Sequence, residues 1–429
     1  MSGLLSFDVI VEILSCLPVK TLKRLRCVSK ELCSLIDSGY FEDLNLSRSI
    51  RNNNNAMLVL MSQYYKKRKG KLYWPPRYPD FYSFLHVDCY SLDQDIKGNL
   101  TQIKVGSCPL RGLPGFDLTE NFTRPFGDFV NDCVGCSNGV LCLSTKGRGL
   151  DLVNPLLTEE CHHGYPSAAA IETGGDDTSY FYYDAPTHDF KLAILRSETI
   201  LSETGKCPYH RWDERWDERL EVYRLEGDNG FRMIQSYPLL DFDCNPGYND
   251  TRPLFHSGAL YWVGKTDWRP TKIIAFNLER RVDDDQARCD KFGLPCQENY
   301  GGRWRWGALG VLDGCLTATS YYGYGEEWEI WVMKEYGVQD SWTKLLRCET
   351  AKFSEISCPS PLRPLAYSKK GNKVLLERES CSWFHTTQLF WYDLERKTVA
   401  EVKIPGAPEH FKVAVCVASL VNYKGTTRN

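Results

Sequence analysis

Residues 5–46 read LSFDVIVEILSCLPVKTLKRLRCVSKELCSLIDSGYFEDLNL, and no other part of the chain is patterned in this way. In DVIVEILSCL the apolar residues Val9, Ile10, Ile13, Leu14 and Leu17 recur at helical spacing and share one face. Asp8 is placed to cap its start. Pro18 ends that helix, since it offers no backbone N–H, and it suits the entry to the next one. VKTLKRLRCV repeats the pattern, with Val19, Leu22, Leu25 and Val28 inward and Lys20, Lys23 and Arg24 outward. Ser29 is a cap for a third short helix, KELCSLI, which carries Leu32, Leu35 and Ile36. Three helices of roughly ten residues bury too little apolar surface to stand alone. The module is therefore expected to lean on a partner or on the domain that follows.

Beyond the four asparagines Asn52–Asn55 the period changes to that of strands. AMLVLMSQYY and KLYW read as two strands joined by KKRKGK. Lys66, Lys67, Arg68 and Lys69 are either a solvated hairpin tip or a basic cluster of nuclear-import type. From residue 133 one phrase recurs: a glycine turn, a short apolar strand, a gap, then a second strand. It appears as Gly139-VLCLS with LDLVNP, Gly258-ALYWV with KIIAFNLE, Gly314-CLTATSYY with WEIWVMKEY, and Gly371-NKVLLE with LFWYDLE. The last three glycines lie 56 and 57 residues apart, a period that suits one four-stranded propeller blade. LEVYRL and FRMIQ flank a hairpin turn at residues 226–230, and Tyr180–Asp184 and Phe190–Leu195 flank another. The number of blades is left open by the sequence.

The run from Leu5 to Leu46 resembles an F-box, through the combination Leu-Pro-Val-Lys, Leu-Lys-Arg-Leu-Arg-Cys-Val-Ser-Lys and the following Leu-Ile and Phe. That resemblance implies docking on a SKP-type adaptor and, through it, a cullin. Carried over by position, the contacts are Leu5, Ile10, Leu14, Leu17, Pro18, Val19, Leu22, Val28 and Leu32. Two positions depart from the family pattern: Ser6 follows Leu5 where proline is usual, and Leu32 stands where the family has a tryptophan, a larger anchor. The later phrases resemble the F-box-associated domain of plant F-box proteins: Ser137-Asn138-Gly139 with Asn154-Pro155, Tyr183-Asp184 with Asp189-Phe190-Lys191, and Gly258, Leu260 and Trp262. Gly310-VLDGCL and Glu329-IWVMKEYGVQDSWTKL are similar to immune-regulating F-box proteins of the constitutive-defence type, and more loosely to the S-locus F-box proteins of pollen. Only two Gly-Gly pairs occur, Gly174-Gly175 and Gly301-Gly302, so the repeat is kelch-like at most.

The composition excludes several other classes. No apolar run reaches the roughly 18 residues of a membrane span, the N-terminus has no basic region of a secretory signal, and a net charge of −3 gives no bulk attraction to nucleic acid or membrane. The four Asn-x-Ser/Thr sequons, at Asn45, Asn99, Asn121 and Asn249, are then chance matches. The 18 cysteines are spread irregularly, as small, mostly reduced core residues would be. Cys133 and Cys136 with Cys161, His162 and His163 form a conceivable zinc set, against a plainer role in strands and turns. Asp283–Asp285 reads as an acidic loop. No nucleophile elbow, phosphate loop or His-Glu-x-x-His motif is present, so no catalytic residue, metal or cofactor is expected. The tandem RWDERWDER, residues 211–219, is a duplication in an exposed loop or a partner-binding tip. Trp268, Trp304, Tyr322 and Tyr324 are aromatics near turns that either pack between blades or form a target-binding surface.

The expectation is a small all-α, three-helix F-box at residues 1–48, a linker with the first strands at 49–130, and a large all-β, propeller-like domain at 131–425. The function the resemblance implies is that of a non-enzymatic substrate receptor of an SCF ubiquitin ligase in cytoplasm and nucleus. An intracellular immune receptor would be one such target. The competing reading is a scaffold whose altered F-box binds partners without the adaptor.

Overall fold

The computed structural model describes residues 6–52, 56–67, 81–94, 100–108, 132–145, 149–156, 164–165, 178–184, 187, 189–200, 215–225, 231–238, 254–266, 269–278, 280, 288–295, 304–322, 327–349, 362–379, 387–402, 404 and 411–421. The chain divides into two compact units, residues 1–166 with 403–429, and residues 167–402.

The first unit opens with α1 (Phe7–Ser15), α2 (Val19–Leu25) and α3 (Lys30–Ile36), the three helices the apolar spacing predicts. Ser29 caps α3, its Oγ accepting the Leu32 N–H at 3.2 Å. Asp8 is not the cap of α1. Ser6 stands at that position, and Asp8 lies inside the first turn, where its charge complements the helix dipole. A fourth helix, α4 (Gly39–Asn52), runs past the boundary expected at residue 48. Its inward residues are Phe41, Asn45, Leu46 and Ser49. Two of these four are polar, which hid the stripe from a reading based on apolar spacing. In the interior, Asn45 Nδ2 donates to the Ser15 carbonyl at 2.9 Å and the Leu17 carbonyl at 3.4 Å. Buried inside a helix, it is no glycan acceptor.

The helices rest on two antiparallel four-stranded sheets. One contains β1 (Ala56–Lys67), β2 (Phe81–Gln94), β3 (Leu100–Cys108) and the last strand of the chain, β24 (Lys412–Val417), in the order β24-β1-β2-β3. The other is the meander β4 (Asp132–Ser137), β5 (Val140–Thr145), β6 (Gly149–Val153) and β7 (Gly164–Tyr165). Val11, Leu14, Val19, Leu22, Ile36 and Phe41 of the helices share one core with Met57, Val59, Leu141 and Leu143 of the sheets and with Ala418 and Leu420, just past β24. The helical module thus leans on the β region, each such side chain contributing about 1.5–3 kcal/mol by burial.

The second unit is four more meanders in sequence: β8 (Thr178–Asp184) to β11 (Phe231–Pro238) through β9 (Asp189–Ile200) and β10 (Arg215–Leu225); β12 (Leu254–His256), β13 (Ala259–Thr266), β14 (Arg269–Asn277) and β15 (Cys289–Gly293); β16 (Trp304–Leu312), β17 (Cys315–Tyr322), β18 (Glu327–Met333) and β19 (Trp342–Glu349); and β20 (Leu362–Tyr367), β21 (Lys373–Glu379), β22 (Thr387–Asp393) and β23 (Thr398–Glu401). Six four-stranded sheets of blade type follow the helices, so the fold is a helical module with a propeller-like β region. The recurring glycine opens the second strand of four of the sheets. At Asn138–Gly139 both turn residues have positive φ, 50° and 78°, and Ser257–Gly258 and Asp313–Gly314 repeat the pair. This is the two-residue hairpin whose twist matches the strands it joins.

Some local expectations change. Residues 71–74, read as a strand, lie outside the described residues; the partner of β1 is β2, in a register that sets Met57 opposite Ser91 and Lys67 opposite Phe81. The second half of the tandem repeat is not loop. Arg215–Arg219 enter β10 and pair with Ile200–Arg196 of β9; the unusually long β9 supplies the ladder partners that recruit them. Cys136 is bonded to Cys416, which removes it from the conceivable zinc set, while residues 161–163 lie outside the described residues.

Candidate adaptor-docking interface and target surface

The helical module sorts its apolar residues into two sets. Leu14, Val19 and Leu22 are buried, Leu22 completely. Ile10, Leu17 and Leu32 are half-buried and pack against the same core. Pro18 is exposed, and Val28 is 68% exposed. Leu5 lies outside the described residues. Of the contacts carried over by position, three are therefore core, three lie at its margin and two face solvent.

Four exposed apolar side chains were not among them: Phe7, Val9, Ile13, which is 51% exposed, and Tyr40, 68% exposed. The helical wheel contains the signal for two of these. At 100° per residue, Val9 stands about 160° from Val11 and about 140° from Leu14, and Ile13 about 160° and about 100°, so the apolar arc of α1 is wider than its core needs. Half of it seats the helix and the other half is left uncovered.

Charged groups brace this surface at its edges. Arg26 donates to Asp37 Oδ2 at 2.6 Å, and that hydrogen bond holds the guanidinium pKa above its ordinary value. Arg48 pairs with the Glu12 carboxylate and donates to the Glu12 carbonyl at 2.9 Å, tying α4 to α1. Both pairs are solvent-facing and screened by water and salt, so they orient the helices more than they stabilise them. On the opposite side, Lys23 Nζ donates to the Leu156 carbonyl and so joins α2 to the loop after β6.

The aromatic candidates divide. Trp304 and Tyr322 are direct cross-strand partners on β16 and β17, and the next pair on that face of the sheet is Trp306 with Ser320. Tyr322 is half-buried. Trp268 and Tyr324 lie outside the described residues. A third aromatic, Tyr336, escaped the sequence reading because it sits in a charged loop, KEYGVQD. The structure exposes Tyr336 and Val338 on a connection made rigid by its own hydrogen bonds: Ser341 Oγ accepts from the Glu335 N–H at 3.0 Å, and Gln339 Nε2 donates to the Leu294 carbonyl at 3.2 Å. Lys66 and Lys67 end β1, opposite Tyr82 and Phe81; Arg68 and Lys69 lie outside the described residues. Among the described residues no three His, Cys, Asp or Glu side chains are grouped as a metal would require, and no helix is long and apolar enough to cross a membrane.

A small helical module with uncovered apolar side chains, seated on blade-type sheets, defines the class, and comparison with known proteins gives it a name. Residues 4–43 match the F-box domain. F-box protein At4g22390 of Arabidopsis thaliana is 35% identical over 96% of this chain and 89% of its own length, and F-box protein CPR1 of the same plant is 28% identical over 98% and 90%. F-box/kelch-repeat protein At3g23880 is 23% identical over 80% and 79%. The chain belongs to the F-box proteins. Its general role is that of the family: a non-catalytic subunit that binds a SKP-type adaptor in a cullin complex and recognises substrates for an SCF ubiquitin ligase.

Proposed function

We propose that the chain holds the adaptor against the uncovered apolar side chains of its F-box helices and offers a target protein on its β sheets. The observation that carries this is the split within α1: Leu14 is buried in the core while Val9 and Ile13 are left in water. Uncovered apolar side chains on a module whose own core is complete are what a partner surface requires. In this reading Val9, Ile13, Pro18 and Val28 make the contact, with Ile10, Leu17 and Leu32 at its margin. Leu14, Val19 and Leu22 support it from beneath. Trp304 with Tyr322 is the target surface nominated on the β side. The resemblance of residues 310–316 and 329–345 to immune-regulating F-box proteins supports an intracellular immune receptor as the target. The basic run at residues 66–69 supports work in the nucleus as well as the cytoplasm.

The test is co-purification of the intact chain with a plant SKP-type adaptor, beside the Ile13→Asp, Val28→Asp double variant. The intact chain should bring the adaptor down. The variant should lose it while unfolding at the same temperature, and should no longer lower the level of a co-expressed immune receptor. Wild-type affinity in the variant would place the docking face elsewhere. If the intact chain itself binds no adaptor, Ser6 and Leu32 have disabled the F-box and the scaffold reading takes first place.

A further inference from the structure

The end of the chain is held to the sheet that follows the first one by an unusual set of contacts. Asn154, fully buried, donates through Nδ2 to the carbonyls of Ser419 at 3.3 Å and Val421 at 2.9 Å. Ser419 Oγ donates to the Asn138 carbonyl. Gly139 leaves the room for this approach, since a Cβ there would lie 2.4 Å from Ser419 Oγ. Asn138-Gly139 and Asn154-Pro155 are thus the two halves of a socket for the segment after β24. At its edge Cys136 of β4 and Cys416 of β24 stand 5.8 Å apart at Cα and are bonded through sulfur, a separation within the range a disulfide needs.

We propose that Cys136 and Cys416 form a redox-operated latch on this socket, opened and closed by exchange with a low-molecular-weight disulfide of the glutathione type. Cys136, the half-exposed member, is the one a small disulfide can reach. Its thiolate attacks one sulfur of that disulfide and expels a thiolate, leaving a mixed disulfide. The Cys416 thiolate then attacks the Cys136 sulfur and expels the second thiolate. Two protein thiols are oxidised by two electrons, one small disulfide is reduced, and the two protons go to the two small thiols released. Closing the bond ties β24 to β4. Because β24 pairs with β1 and Cys416 belongs to the same core as Leu22 and Phe41, the latch stiffens the bed under the F-box helices.

The experiment uses the full chain equilibrated across ratios of reduced to oxidised glutathione. Thiols are trapped with an alkylating reagent and read by mass spectrometry, and backbone hydrogen exchange is followed on parallel samples. Between the reducing and oxidising limits, the Cys136–Cys416 peptide pair should pass reversibly from alkylated to cross-linked. In the cross-linked state, exchange in residues 56–61 and 413–417 should slow at least tenfold. The Cys136→Ser and Cys416→Ser variants should exchange at the reduced wild-type rate at every ratio. The proposal is overturned if the pair stays alkylated at the most oxidising ratio, if it stays cross-linked at the most reducing one, or if the two states exchange alike.

Discussion

Two leucine-sized residues in the F-box, similar in sequence, do different work. Leu22 is wholly buried between the helices and the sheets, so Leu22→Ala removes transfer energy and leaves a cavity. An expected loss of about 2–5 kcal/mol follows, measurable by urea denaturation, with adaptor affinity falling only as the folded fraction falls. Ile13 faces solvent, so Ile13→Asp should leave stability within about 0.5 kcal/mol. Its adaptor affinity should drop by about 2 kcal/mol, roughly 30-fold, as a central contact does; calorimetric titration separates the two cases. At Gly139 a φ of 78° coincides with a neighbour within 3 Å of any added Cβ. Gly139→Ala should therefore cost about 1–3 kcal/mol or more, and the first unit should melt earlier. His256 is governed by its surroundings in a different way. Burial lowers its imidazole pKa, against an opposing hydrogen bond to the Gly314 carbonyl at 3.2 Å. The unfolded chain then takes up the proton first, near pH 6.5. The stabilising contribution is present above that pH and is lost as pH falls through it toward the folded value. Denaturation midpoints between pH 5 and 7.5 should decline more steeply on the acid side in the wild type than in His256→Gln.

Elements differ in how openly the sequence declares them. The hairpins at Gly139, Gly258 and Gly314 were legible because a two-residue turn needs left-handed residues at fixed places and marks the start of each second strand. The helix α4 was not, because Asn45 and Ser49 replace apolar residues on its buried stripe, and only the geometry shows what they bond. Asn45→Ala should cost about 1–3 kcal/mol, since it strands the Ser15 and Leu17 carbonyls in the interior. Asn45→Leu should fare no better. In both, the thermal midpoint of the first unit would report the loss. LEVYRL was read correctly as a strand, but the start of β10 at Arg215–Arg219 was misjudged for a related reason: a charged repeat reads as solvated until the long partner β9 is known to reach it. Of the proposed docking face, apolar spacing finds the stripe on α1 but does not say which edge of it the sheets will cover.

For the whole molecule, the informative fact is which parts share a core. The F-box helices belong to one compact unit with the first two sheets and the last strand, although one lies at the start of the chain and the other at its end. The helical spacing predicts a module that leans on something else but does not say on what, because the joint is made by Met57, Val59, Ala418 and Leu420, far away in the sequence. Contacts this distant in sequence are slow to form and appear late in folding.

That joint bears on how the protein is made. The first sheet lacks an edge until its last strand leaves the ribosome, and at about 5–20 residues per second the wait between β1 and β24 is on the order of tens of seconds. During that interval the nascent F-box helices lack part of the bed they rest on. In the proposed reading, a product cut short of β24 would compete poorly with the intact chain for the adaptor.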